Sequence, residues 1–113
     1  MTTDKTITLK TEFTNITPAL QADLEKIAWE HLEKFRNSYF KSILKKTDAQ
    51  IKVRFLLAKN KQDKYEGKFH ADLDGNVFNW ENDVPFKEPI DVLNHAFKHL
   101  KESFKHLKKS LTD

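Results

Sequence analysis

The chain has 113 residues, a formal net charge of +3 and no cysteine. This length predicts a single domain, and the lack of cysteine excludes disulfides, thiolate catalysis and cysteine-based zinc sites. No apolar run approaches the ~20 residues of a membrane span, and the N-terminus lacks the layout of a secretory signal, so we expect a cytoplasmic protein that does not enter the membrane.

The charge is distributed in blocks along the chain. Residues 1–33 carry a net charge of −3, residues 34–68 of +8, residues 69–97 of −5 and residues 98–113 of +3. Basic blocks that are segregated in this way indicate a partner that bears phosphates, because each neutralised phosphate releases condensed counterions. A solvated, Lys-rich surface without a partner is the alternative interpretation.

The first part of the chain predicts a strand and a long helix. Residues 6–13 alternate between apolar and polar side chains, which is the pattern of a half-buried strand. Thr17 and Pro18 are typical of a helix start, with Thr17 as the N-cap. Apolar residues at helical spacing then predict a helix from Pro18 to about Arg36. The stretch from 37 to 48 is compatible with a helix extension or with an ordered loop.

Three more strands and a second helix follow. Alternation predicts strands over residues 50–59, 65–73 and 77–81. Asp74-Gly75, between the last two strands, is a strong signal for a type I′ hairpin turn. A single apolar stripe then runs along about six turns of the last helix. The residues of this stripe are Ile90, Leu93, Phe97, Leu100, Phe104, Leu107 and Leu111.

The element order β-α-β-β-β-α predicts an α+β fold, a four-stranded sheet with two helices packed on one face. We expect one domain over residues 1–113, with an ordered core over about 5–111. The expected core contains Phe97, Leu100, Phe104, Ile27, Leu32 and Trp80, and Trp29 is expected to close the groove between the helices. The other face of the sheet is expected to lie in water and to carry Lys10, Lys52, Arg54, Lys68 and His70.

The sequence contains no recognisable catalytic signature. With only Gly67 and Gly75, the chain cannot form a phosphate-cradling loop, and its serines lie in no nucleophile-like context. His95 and His99 have the i, i+4 spacing of metal ligands, but no cysteine or nearby acid completes a tetrahedral set. We therefore expect no enzyme activity, no cofactor, no metal and no small-molecule substrate.

Several motifs occur in a characteristic order. Residues 15–20 read Asn-Ile-Thr-Pro-Ala-Leu at the start of the first helix, and residues 31–35 read His-Leu-Glu-Lys-Phe at its end. A basic stretch over the second and third strands follows, and residues 90–109 form the closing helix. This order resembles the short form of the ribosome hibernation-promoting factors, a family also called ribosome-associated inhibitor A or sigma-54 modulation proteins.

The resemblance implies a stress or stationary-phase factor that binds the small ribosomal subunit and occludes the mRNA and tRNA sites. It also implies a protein that is monomeric off the ribosome. Lys and Arg would contact ribosomal RNA phosphates and read shape rather than base sequence. The candidate RNA-binding residues are Lys34, Arg36, Lys52, Arg54, Lys68, Lys98, Lys101, Lys105, His106, Lys108 and Lys109.

Two other classes of function remain open. A stand-alone double-stranded RNA-binding module usually has the order α-β-β-β-α, and the leading strand of this chain argues against it. A protein-interaction module would dock its last helix on a partner helix. That function requires the apolar stripe of the last helix to be exposed in the monomer.

Overall fold

A computed structural model describes residues 7–38, 40–41, 43–45 and 48–112, with the backbone alone for residues 43 and 106–112. The predicted order β-α-β-β-β-α and the α+β class are confirmed, and a short 3-10 helix is added after the first helix. No helix of the described part is long and apolar enough to cross a membrane. The elements are β1 (Ile7–Thr14), α1 (Pro18–Arg36), the 3-10 helix (Ile43–Lys45), β2 (Ile51–Lys59), β3 (Tyr65–Leu73), β4 (Asn76–Glu81) and α2 (Pro89–Thr112).

The four strands form one mixed sheet in the order β1-β2-β3-β4. Strand β1 is parallel to β2, whereas the β2–β3 and β3–β4 pairs are antiparallel. A parallel pair needs a crossover connection, which α1 provides. Asp74 and Gly75 have φ values of 54° and 99°. These positive angles are those of a type I′ turn, so the hairpin prediction is confirmed.

The core lies between one face of the sheet and both helices. Alternate residues of β2 and β3 are buried, and so are the inward sides of α1 and α2. Phe97, Leu100, Phe104 and Leu32 belong to this core as predicted, whereas Ile27 is only half-buried against it. The described part of the α2 stripe is therefore covered within the chain. From Leu93 to Phe104, this burial leaves no exposed apolar stripe of the kind that a helix-docking interaction module would need.

The described residues of the connection after α1 form a turn and the short 3-10 helix, and not an extension of α1. Helix α1 ends at Arg36, and the backbone N–H of Phe40 donates to the carbonyl of Phe35 at 2.7 Å. The Phe40 ring is fully buried, and its centroid lies 5.4 Å from the rings of both Phe35 and Phe104. The Phe40 side chain thus packs this segment against the end of α1 and against the Phe104 turn of α2.

The tryptophan of α1 differs from its predicted position, whereas Trp80 packs against the core but is only half-buried. Trp29 is 38% exposed and does not close the groove between the helices. It lies one turn beyond Glu25, which contacts β1, so it is on the side of α1 that faces away from α2. Trp80 is half-buried at the margin of the core, and its ring stacks on His99 with a centroid distance of 5.7 Å.

Candidate nucleic-acid interface

The two helices run in the same direction along the sheet. The His31 ring of α1 stacks on Phe97 of α2 at 4.6 Å, and its Nε2 lies 2.9 Å from Oδ1 of Asn94. One turn further along α1, the Phe35 ring meets Phe97 at 5.6 Å and Phe104 at 6.3 Å. Because the contacts advance together along both helices, the end of α1 lies beside the later turns of α2.

Four exposed lysines follow this line of contact. Lys34 lies three residues after His31 and therefore on the same side of α1. On α2, Lys98 and Lys101 lie one and two turns after Asn94, and Lys105 lies one turn after Lys101. All four side chains are exposed. We call this set the helix seam: Lys34, Lys98, Lys101 and Lys105.

Two acidic residues flank the helix seam. Glu30 precedes Lys34 by one turn on α1, and Glu102 follows Lys98 by one turn on α2. Within the described part of the chain, neither acid nor any other carboxylate forms an ion pair with a lysine of the seam. The four lysines thus keep an excess of positive charge along the junction of the helices.

The sheet surface is the face of the sheet that the helices leave open. The register places Lys10, Arg54, His70 and Asn79 in one row across the four strands. His70 Nδ1 lies 2.6 Å from Oδ1 of Asn79. The side chains predicted to point into water on this face do so. The charged residues of the surface are Lys10, Lys52, Arg54, Lys68, Glu12, Glu66, Asp72 and Glu81.

Acids cancel the positive charge of the sheet surface. Its eight charged residues are half basic and half acidic, so the formal charge is zero with His70 neutral. Arg54 is already engaged, because its Nη2 donates to Oε1 of Glu12 at 2.7 Å. A phosphate that approached Arg54 would have to compete with this carboxylate.

The candidate RNA-binding residues are therefore divided between two faces. Lys34, Lys98, Lys101 and Lys105 lie on the helix side, whereas Lys52, Arg54 and Lys68 lie on the opposite face of the sheet. Arg36 belongs to neither group, because it points to another side of α1 and its Nη2 lies 3.2 Å from Oε1 of Glu33. The side chains of His106, Lys108 and Lys109 lie outside the described residues. One flat RNA surface cannot contact both faces together.

Sequence reasoning missed the polar pair at the centre of the helix seam. His31 and Asn94 join α1 to α2, and they lie 63 residues apart in the chain. His31 opens the motif at residues 31–35, but that motif says nothing about Asn94, so the only signal for the pair was its spacing of one or two turns from the lysines.

The two histidines with metal-ligand spacing pack on aromatic rings. The His95 ring lies 5.0 Å from Phe86, and His99 stacks on Trp80. In the ranges that the structure describes, no three side chains of His, Asp or Glu converge as a metal site. The i, i+4 spacing thus places both rings along the side of α2 that faces β4.

Comparison with solved structures reveals the same fold in proteins of very different sequence. The Thermus thermophilus Protein Y N-terminal domain is 16% identical, with a TM-score of 0.55 over 87% of this chain and 94% of that one. A ribosomal subunit interface protein from Coxiella burnetii is 14% identical, with a TM-score of 0.59 over 89% and 97%.

The sequence matches no family model and no curated protein. Both structural neighbours match the family that the sequence motifs resemble. At this level of identity they establish the fold.

Proposed function

We propose that the chain binds the small ribosomal subunit through the helix seam and holds the ribosome inactive by occluding the mRNA and tRNA sites. The observation that carries this proposal is the positive junction of α1 and α2 in a chain whose fold is that of a ribosomal subunit interface protein. The seam indicates a polyanion, and the fold likeness favours ribosomal RNA as that polyanion.

The physical basis of binding is charge placed on a rigid support. Lys98 to Lys105 span about 10 Å along the helix axis. The buried side of α2 fixes the position of this stretch, because Leu100 and Phe104 are 0% and 7% exposed. Exposed ammonium groups can approach phosphates without breaking ion pairs, and each contact releases counterions. Contacts to phosphates do not distinguish one base from another, so recognition depends on the shape of the RNA.

The helix seam supports this role better than the sheet surface does. The sheet surface has no net charge, and its arginine is paired with Glu12. The surface is also the broad, open face of a twisted sheet, on which charges of both signs alternate. An RNA backbone would meet repulsion from acids as often as attraction.

Occlusion requires binding alone, so the proposal assigns no reaction and no catalytic residue. A bound protein excludes mRNA and tRNA by volume. In this proposal the protein works in the cytoplasm on ribosomes idled by stress or in stationary phase.

Sedimentation with purified ribosomal subunits tests the proposal. We compare Lys101→Gln/Lys105→Gln on the helix seam with Lys52→Gln/Lys68→Gln on the sheet surface. Each variant removes two positive charges from exposed positions, so loss of charge alone cannot distinguish them. We expect the wild type and the sheet variant to migrate with the small subunit at low salt and to inhibit cell-free translation, and the helix variant to fail in both.

Two results would overturn the proposal. One is wild-type protein that stays at the top of the gradient at low salt. The other is a folded helix variant that binds as well as the wild type while the sheet variant does not. A free RNA duplex added as competitor addresses the alternative function, because a double-stranded RNA-binding module would prefer the duplex to the subunit.

A further inference from the structure

The outer edge of β1 is open among the described residues. Strand β1 pairs with β2 on one side only and ends the sheet. An edge strand presents a row of unpaired backbone N–H and C=O groups, which is a template for another strand. The inward residues Leu9 and Phe13 are only half-buried, whereas the inward residues of β2 between Ile51 and Leu57 are fully buried. Apolar surface thus accompanies the open edge.

Helix α1 adds a larger apolar group beside the same edge. The Thr11 hydroxyl donates to Oε1 of Glu25 at 2.7 Å, which places this side of α1 over β1. Trp29 follows Glu25 by one turn and is 38% exposed. A partner that extends the sheet at β1 would therefore lie next to Leu9, Phe13 and Trp29.

The charges of β1 select one particular partner. When two copies of a strand pair antiparallel about a two-fold axis, residues that lie opposite each other point to the same side of the sheet. Their numbers are therefore both odd or both even, and the axis passes between one residue and the same residue of the other copy. An axis through Lys10 or Glu12 places like charges opposite each other. An axis through Thr11 places Lys10 opposite Glu12 twice and Leu9 opposite Phe13 twice. In this register every residue from Thr8 to Thr14 lies opposite a residue of the second copy.

We propose that a second copy of the chain pairs with the outer edge of β1 about an axis through Thr11, which joins two sheets into one of eight strands. Glu12 keeps Oε1 on Arg54 and offers its other carboxylate oxygen to Lys10 of the second copy. The open edges are paired, and Trp29 of each copy comes near α1 of the other. The helix seam of each copy stays free, so this dimer is independent of the proposed ribosomal function.

One feature of the edge opposes the pairing and limits its strength. In each copy Glu25 contacts the Thr11 of its own chain. The two Glu25 side chains therefore lie on either side of the axis. Their like charges make the dimer weak, so the monomer expected from the sequence prevails at low concentration. Glu25→Gln removes the repulsion while the amide can still accept the Thr11 hydrogen bond, and this variant is expected to dimerise more strongly.

Charge reversal on β1 provides the decisive experiment. Lys10→Glu places two glutamates opposite each other at each pair, and Glu12→Lys places two lysines there. We expect each variant to dimerise about tenfold or more weakly than the wild type, because two cross-strand pairs change from attraction to repulsion. An equimolar mixture of the two is expected to form a heterodimer with every pair attractive. Sedimentation equilibrium from about 1 µM to about 1 mM measures these affinities.

The double exchange Lys10→Glu/Glu12→Lys is the control for folding. It restores opposite charges across the axis and leaves an acid next to Arg54, so it should dimerise like the wild type. Circular dichroism of every variant checks that the fold is kept. The proposal is wrong if the wild type stays monomeric over the whole range, if the single reversals associate as the wild type does, or if their mixture does not pair.

Discussion

Gly67 is the residue that lets α2 approach the middle of the sheet. A Cβ at this position would lie 2.5 Å from Cγ1 of Val92 and 3.3 Å from the carbonyl oxygen of Leu56. A contact of 2.5 Å cannot be kept, so the Val92 side chain, the helix or the strand must shift. The backbone N–H of Gly67 also donates to Oδ1 of Asn82 at 2.9 Å, which restricts how far the strand can shift.

We therefore predict that Gly67→Ala lowers the free energy of unfolding by about 1–3 kcal/mol, the usual cost of overpacking. Gly75→Ala is the matched control, since Gly75 has open space around it but a φ of +99°. In a Val92→Ala background the cost of Gly67→Ala should shrink, whereas the cost of Gly75→Ala should not change. Urea denaturation measures all four differences. Equal costs of Gly67→Ala in both backgrounds would contradict the close approach.

Residues with local signals were predictable, and residues with distant partners were not. Asp74-Gly75 adopts its turn because of its own φ preferences, so its conformation can be predicted from two letters of sequence. Phe40 is buried because the end of α1 meets the Phe104 turn of α2 there, and its neighbours in sequence do not reveal this. The ion pair of Arg54 was unpredictable for the same reason, because its partner Glu12 is 42 residues away.

At the scale of elements, helix α1 begins where its capping residue allows. The backbone N–H of Leu20 donates to Oγ1 of Thr17 at 3.4 Å, and Pro18 occupies the first turn, where no N–H donor is needed. The side-chain amide of Gln21 also donates to the carbonyl of Ile16 at 2.8 Å. These bonds fix the direction in which the crossover leaves β1.

Thr17→Ala is expected to lower the free energy of unfolding by about 1 kcal/mol through loss of the cap, whereas Thr17→Ser should keep most of it. Denaturant unfolding of both variants provides the measurement. Because Thr17 is exposed, packing changes little in either substitution. An alanine variant as stable as the serine variant would show that Thr17 does not cap the helix.

Alternation along each strand predicts which residues lie on each of its two faces, but it does not predict which strands pair with it. The inward and outward residues of β2 and β3 follow the predicted pattern, and the observed bounds agree with the prediction to within one residue. The parallel pairing of β1 with β2 depends on how the whole chain packs. For the same reason, the basic residues could be identified from sequence, but their division between two faces could not.

At the scale of the whole molecule, the helix seam and the sheet surface lie on opposite sides of the core. A polyanion that binds one side leaves the other free. The salt dependence of binding counts the phosphates contacted, so it can measure what each side contributes.

We predict that the affinity for the small subunit falls steeply with salt. For Lys101→Gln/Lys105→Gln, the slope of log K against log salt should be smaller by roughly 1.4 to 1.8 units, since each lost contact accounts for about 0.7–0.9. The Lys52→Gln/Lys68→Gln variant should keep the wild-type slope. Filter binding across a salt series provides the values. A slope reduced only by the sheet variant would assign the interface to the sheet surface.

The parallel pairing of β1 with β2 affects the order in which the chain can fold during synthesis. Strands β2, β3 and β4 are joined by short turns, so their pairing closes small loops, whereas Ile7 pairs with Ile51 only after the whole crossover has formed. Strand β1 is the first strand to be made, and it waits longest for its partner to be synthesised. Until β2 emerges from the ribosome, both edges of β1 stay open to pairing with another strand.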